Sequence, residues 1–260
     1  MEKVTYIIPI HEFNEEVKTY LTRALESLKT LTDANTFKTL FVGPKSVLDE
    51  CAELYKALEC PLKMDVVTTD VNDVYEKINI AVMKCVTPYF SVLEFDDMFY
   101  PYWNKFAQKV LSKKTHSVIL PIVELVNTDK EPVGFMNEIA WDAAFSDVLG
   151  FIGVEELKVF KDYNVTGGYI KTDDFISCGK LKPSMKIAAW FELLMRMSHN
   201  EHKIYVAPRI GYVHTVLRNN SYMINTKNEI SVEEGQWLIN YALDEYTNKT
   251  DSNKKFEENK

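Results

Sequence analysis

Apolar residues along the chain fall into short continuous runs, separated by longer stretches in which they recur every three or four positions. The first run, Val4 to Ile10 (VTYIIPI), is rich in β-branched residues and reads as a strand covered on both faces. Asn14 then offers an N-cap, Glu15 and Glu16 suit a first helical turn, and Val17, Leu21, Leu25 and Leu28 recur at helical spacing. These residues predict an amphipathic helix of about four turns. The unit repeats: Thr39 to Val42 predicts a strand ended by Gly43-Pro44, and Val47 to Leu58 a helix that stops before Cys60-Pro61. Met64 to Val67 predicts a third strand, and 71–84 a helix with Val74, Ile78, Ala81 and Val82 on one face. Tyr89 to Leu93 predicts a fourth strand.

Strands alternating with helices imply right-handed crossovers and an α/β domain whose mostly parallel central sheet is flanked by helices. In such a sheet ligands gather at the carboxyl ends of the strands, so the loops after Ile10, Val42, Val67 and Leu93 are where chemistry is expected. Further on, Trp103 to Leu111 predicts a helix and Ser117 to Leu125 a strand. The stretch from Asn127 to Asp147 is irregular and carries Phe135, Trp141 and Phe145, as a connection packed over something would. Ser184 to His199 predicts a helix, Lys203 to Ala207 a strand, and Ser231 caps a last helix to about Tyr246. The pattern therefore divides into one domain over 1–230, a helix over 231–246 packed on it, and a disordered polar tail over 247–260 that cannot bury enough surface to order itself.

Composition narrows the function classes. A 260-residue chain with 46% hydrophobic content buries a sizeable core. A net charge of −8 and a pI near 5.3 oppose broad attraction to nucleic acid or anionic lipid. The N-terminus carries no basic stretch followed by an apolar core and cleavage site, and no apolar run is long enough to cross a bilayer, so no membrane span and a cytoplasmic location are expected. Cys51, Cys60, Cys85 and Cys178 lack CxxC or Cys/His zinc spacing, which favours free thiols.

The segment SVLEFDDMFYP sets Glu94, Asp96 and Asp97 directly after an apolar strand. Three carboxylates there repel one another and resist desolvation unless a cation or a ring of donors balances them. Carboxylate oxygens suit Mg2+ or Mn2+, which keep positions for phosphate oxygens. In an extended chain Glu94 and Asp96 share a side while Phe95 turns away. The plainer alternative is that the acids cap a helix beginning near Pro101 or face water.

With those residues in view, the chain resembles the family 2 glycosyltransferases of the GT-A fold, over roughly residues 3 to 221. VTYIIPIHEFNEE is similar to the family's first strand and nucleotide-contacting turn, and KINIAVMKCVTPYFSVLEFDD runs without a gap along its asparagine-bearing helix, strand-start tyrosine and acidic metal motif. In that register Asn79, Tyr89, Glu94, Asp96 and Asp97 match the family positions. The resemblance implies a single GT-A type, Rossmann-like domain that contacts a nucleotide-sugar donor through Pro9, His11, Glu12, Asn14, Lys77, Asn79, Glu94 and Arg218. It further implies a Mn2+ or Mg2+ ion at Asp96, with Asp97 supporting and His214 completing the shell. A bound metal would neutralise the charge growing on the departing nucleoside diphosphate.

Three departures from the family pattern stand out. The acidic run after the second strand is Val42-Gly43-Pro44-Lys45 here, which leaves the base unread, and the family's helix arginine is Ile78, which leaves Lys77 as the phosphate partner. The carboxylate that takes the acceptor's proton in an inverting reaction maps to Ala189 and Trp190, with Glu192 the only acid nearby. Glu192 is therefore either the catalytic base or a helical partner of Arg196 on a solvated face. Thr166-Gly167-Gly168 offers a bare backbone for ligand approach, and Trp141 and Trp190 offer rings for stacking or for the core.

The expected function is metal-dependent sugar transfer from a nucleotide-diphosphate sugar to a hydroxyl of a glycan, protein, small molecule or modified nucleic-acid base, nucleic acid entering only as acceptor. The alternatives are a non-catalytic binding module on the same fold, and a nucleotidyltransferase, against which the glycine-free loop HEFNEE speaks.

Overall fold

The computed structural model describes residues 2–31, 37–113, 115–138, 150–216, 218 and 229–257, with side chains at 37 and 248–257 excepted. The strands are β1 (Val4–Pro9), β2 (Phe37–Gly43), β3 (Lys63–Thr68), β4 (Tyr89–Val92), β5 (Met98–Phe99), β6 (Val118–Val126), β7 (Pro132–Met136), β8 (Phe151–Ile152), β9 (Tyr169–Lys171) and β10 (Ile204–Thr215). The helices are α1 (Glu15–Thr30), α2 (Lys45–Ala57), α3 (Val74–Val82), α4 (Trp103–Leu111), α5 (Val154–Val159), α6 (Thr172–Ser177), α7 (Ala189–His199) and α8 (Val232–Glu257).

One sheet runs β3-β2-β1-β4-β9-β6-β10-β5, with β7 added to β6 and β8 to β10. The ladders joining β3, β2, β1 and β4 are parallel, as is the long ladder of β6 with β10. Short β9 lies antiparallel between β4 and β6. Two reversals leave β4 and β6 pointing the same way, so β1, β4, β6 and β10 all end at one edge of the sheet.

The continuous apolar runs are explained by cores on both sides. Along β1, Ile7 enters one core with α3, α7 and α8, while Tyr6 and Ile8 enter the other with α1, α2 and α4. Capping fixes where the helices begin: Asn14 accepts from the Val17 N–H at 2.9 Å, Asp73 from Glu76 at 2.9 Å and Ser231 from Glu234 at 3.0 Å. The helix α8 buries Leu238, Ala242 and Tyr246 and continues as backbone to Glu257, past the end that its apolar pattern predicts.

Two local features differ from expectation. Gly167, at φ +75°, and Gly168 do not leave backbone open for a ligand: a Cβ at Gly167 would lie 2.2 Å from the Tyr212 ring, and one at Gly168 2.7 Å from Leu120. They are small because side chains pack on them. The β6–β10 ladder also breaks between the Val206–Leu120 and Ile210–Ile122 pairs. Pro121 has no N–H to give there, and β10 bulges through Ala207, Pro208 and Arg209. In the connection after Asn127, the segment to Met136 forms a hairpin with β6. Trp141 and Phe145 lie outside the described residues.

Candidate functional site

The site begins where β4 stops. The Leu93 N–H still donates to the Ile7 carbonyl at 2.9 Å, but the chain then turns, with the Asp97 N–H donating to the Glu94 carbonyl at 3.1 Å. That turn corrects the extended reading of this segment. An extended chain would bring Glu94 and Asp96 together, whereas the turn brings Glu94 to Asp97 and sends Asp96 elsewhere.

The end of β10 completes the cluster. His214 Nδ1 sits 2.9 Å from Asp97 Oδ2 and 4.0 Å from Glu94 Oε2. The Thr215 N–H donates to Asp97 Oδ1 at 2.8 Å, and the Thr215 hydroxyl to the Asp96 carbonyl at 2.6 Å. The Glu94 N–H donates to the buried Tyr212 hydroxyl at 3.1 Å. Glu94, Asp97 and His214 thus offer ligand atoms that all lie within 4.8 Å of one another.

Charge in this corner is out of balance. Burial, then the Asp97 charge, pushes the Glu94 carboxyl up to about 8. Burial and Asp97 also raise Asp96 above the ordinary range, against the pull of Arg218. Burial acts to lower His214, but the Asp97 carboxylate, joined by Glu94 and Asp96, outweighs it and lifts the imidazole to about 10. A Glu94 carboxyl that holds its proton beside an imidazolium is what a cation site looks like when protons occupy the ligand positions. Two carboxylates and an imidazole also form a donor set suited to Mn2+ or Mg2+.

Basic and aromatic groups rim the cluster. Asp96 Oδ2 is paired with Arg218 Nε at 2.7 Å rather than turned toward His214. The Arg218 guanidinium lies 4.9 Å over the buried Phe95 ring, and His11 meets that ring edge-on at 6.1 Å. Buried Lys77 reaches under the loop after β1 to the Ile10 carbonyl at 3.3 Å. Burial lowers the His11 imidazole, and the Lys77 and Arg218 charges lower it further against the pull of Glu12. The Ile10 carbonyl also explains Gly43, where a Cβ would come within 2.2 Å of that oxygen.

Other expected site residues are occupied elsewhere. Asn14 is the cap of α1, and Pro9 is the buried last residue of β1. Glu12 pairs with His11 at 3.6 Å on the surface. Asn79 is buried and spans to Leu181, donating to its carbonyl at 2.9 Å and accepting from its N–H at 3.0 Å. Trp190 packs against the core.

Glu192 is likewise committed. It has 0% exposure, and its carboxylate accepts from Lys182 at 2.7 Å, Tyr246 at 2.5 Å and Arg196 at 2.8 Å, none of them in the acidic cluster. Of the two roles open to it, the helical pairing with Arg196 is the one present, but inside the α7–α8 contact rather than on a solvated face. Sequence reasoning missed Tyr212, Thr215 and the ring of Phe95. Their only signal was proximity to His214 and the acids in a chain whose pairing of β5 with β10 was not foreseen.

No family model and no curated protein matches the chain. Solved structures do. The chain is similar to S. aureus TarS 1-349 in complex with UDP-GlcNAc, at 16% identity and TM-score 0.69, over 94% of this chain and 67% of that one. It is similar to the same protein in complex with UDP, at 16% identity and TM-score 0.63, over 96% and 72%. It is also similar to the mannosyltransferase PcManGT from Pyrobaculum calidifontis in complex with GDP-Man and Mn2+, at 10% identity and TM-score 0.62, over 85% and 59%. The chain spans 37% of the longer TarS chain. With this sheet order and this likeness across most of its length, the chain has the GT-A-like glycosyltransferase fold.

Proposed function

We propose that this chain transfers a sugar from a nucleotide-diphosphate sugar to a hydroxyl acceptor, with a divalent cation held by Glu94, Asp97 and His214. The observation that carries the reading is the cluster itself: buried Asp97 meets the half-buried Glu94 carboxyl and His214 imidazole at the common carboxyl edge of β1, β4, β6 and β10, where such sheets bind ligands. A bound Mn2+ or Mg2+ supplies Lewis-acid stabilisation of the diphosphate leaving group. The protein's own part is to hold and orient. Lys77 and Arg218 present positive charge beside His11, and Phe95 backs the guanidinium. The neighbours carry UDP, UDP-GlcNAc or GDP-Man, and one also carries Mn2+, which supports a nucleotide-sugar donor here.

The acceptor's proton needs a base, and Glu192 does not supply it in this reading, because three donors already hold its carboxylate. That same observation favours a second reading, a nucleotide-sugar-binding module without turnover. Hydrolysis of UDP-, GDP- and TDP-sugars with and without Mn2+ separates the two. Metal-dependent release of nucleoside diphosphate is expected from a transferase. Donor binding with no release from any donor would leave the binding module.

A further inference from the structure

A second site candidate lies on α4, away from the acids. Tyr102, Lys105, Phe106 and Lys109 line one side of an open cleft of about 580 Å3, and Pro208, Arg209 and Ile210 from the β10 bulge line the other. A neighbouring cleft of about 740 Å3 shares Tyr102, Lys105 and Lys109 and extends past Asn104 to Gln108. Both volumes fall in the range of about 300–1,000 Å3 usual for small-ligand sites.

Charge and shape together say what fits. Lys105, Lys109 and Arg209 are exposed, and none of them has a carboxylate within ion-pair distance among the described residues, in a chain of net charge −8. Tyr102 is 48% exposed and stacks on Tyr100 at 5.5 Å and 22°, so its outer face is a fixed flat platform. Tyr100 is itself anchored, its hydroxyl donating to Glu124 at 2.5 Å. Arg209 lies over Phe106 at 5.3 Å, held there by the bulge.

We infer that this groove binds an acidic saccharide, with the apolar C–H face of a sugar ring on Tyr102 and its anionic groups against Lys105, Lys109 and Arg209. The groove is connected to the acidic cluster along two strands. Tyr102 follows Asp97 by five residues through β5 and the turn after it, and Arg209 precedes His214 by five through β10, a separation of at most about 17 Å. Resting on the transferase reading, that saccharide is the acceptor. It is preferred over single-stranded nucleic acid because every sugar unit brings the hydroxyls that transfer needs.

The test is calorimetric binding of an oligogalacturonate, a neutral maltooligosaccharide of equal length and an oligothymidylate, all without donor. The oligogalacturonate is expected to bind, more weakly at high salt, and the neutral sugar to bind far less. The Lys105→Glu/Lys109→Glu variant should lose about tenfold in affinity, the loss expected for two exposed charge contacts. Tyr102→Ala should weaken binding while UDP affinity and thermal stability stay unchanged. Equal binding of the neutral sugar, unchanged affinity in the charge-reversed variant, or tighter binding of oligothymidylate lost in that same variant would each overturn the inference. Because no donor is present, groove binding without turnover would remove only the transferase reading, and turnover without groove binding only this one.

Discussion

Asp97 has 0% exposure and both of its oxygens engaged, one by the Thr215 N–H and the other by the His214 ring. The nitrogen that His214 turns toward Asp97 and Glu94 is Nδ1, so a cation shared by the three would take the place of the proton that Asp97 and His214 now share. Asp97→Asn keeps an oxygen for Thr215 but loses the acceptor for His214. It should weaken Mn2+ binding strongly, because a neutral amide replaces one of the carboxylates offered to the cation. Calorimetric titration with Mn2+ checks this, and an unchanged affinity would remove Asp97 from the site. The residue scale is also where sequence and structure part most clearly. The three acids are legible as a charged cluster, but which two face each other is not, because a single turn hydrogen bond from Asp97 to Glu94 reverses the alternation that an extended chain would impose.

At the scale of elements, the glycine loop before β9 is a joint between strands. The Gly167 N–H donates to the Val92 carbonyl at 2.9 Å, its own carbonyl accepts from the Trp103 indole at 3.1 Å, and Tyr212 fills the space beside it. Gly167→Ala combines a positive φ with a clash against a buried ring. It should destabilise the fold by about 2–3 kcal/mol in urea unfolding and, through Tyr212, disturb Glu94. The second element-level joint is α8 on α7, pinned by Glu192 between Lys182, Arg196 and Tyr246. Glu192→Gln leaves the buried Arg196 guanidinium without its carboxylate and should cost about 3–5 kcal/mol of stability. A normal nucleotide affinity in that variant, read where it remains folded, is the result that separates this structural role from catalysis. Helices α1 to α4, α7 and α8 and strands β1 to β4, β6 and β10 were readable from periodicity and caps, while β7 and the one-and-a-half-turn helices α5 and α6 were not. The short strands β5, β8 and β9 were not, because two or three residues carry no period and owe their pairing to partners distant in sequence.

For the whole molecule, the raised groups make stability depend on pH in a definite direction. Glu94 moves from 4.5 to about 8 and His214 from 6.5 to about 10. Both bind protons more tightly when folded, so the stability they contribute is full below the unfolded values and is lost as pH rises through the folded ones. Without metal, the thermal midpoint should therefore fall between about pH 5 and pH 10 on account of these two groups. Mn2+ needs His214 neutral and Glu94 ionised, so the midpoint gained on adding Mn2+ should grow over the same range. Scanning calorimetry across pH with and without Mn2+ checks both slopes, and a gain that shrinks with pH would oppose a cation at this cluster. Among the described residues no helix is long and apolar enough to cross a membrane.

By itself the amino-acid sequence determined the alternating α/β order, the two-sided burial of β1, the caps at Asn14 and Ser231 and the charged cluster after β4. All of these are local: periodicity, capping and charge density are set by residues within a few positions of one another. Tertiary structure decided which acid meets His214, that Arg218 and Phe95 share the rim with His11, and that Glu192 is a buried anchor. It also decided that Lys105, Lys109 and Arg209 line one groove. Each of those facts depends on strands such as β4 and β10, more than a hundred residues apart in the chain, being brought to one edge of a sheet, and no local pattern encodes which distant side chains that edge will collect.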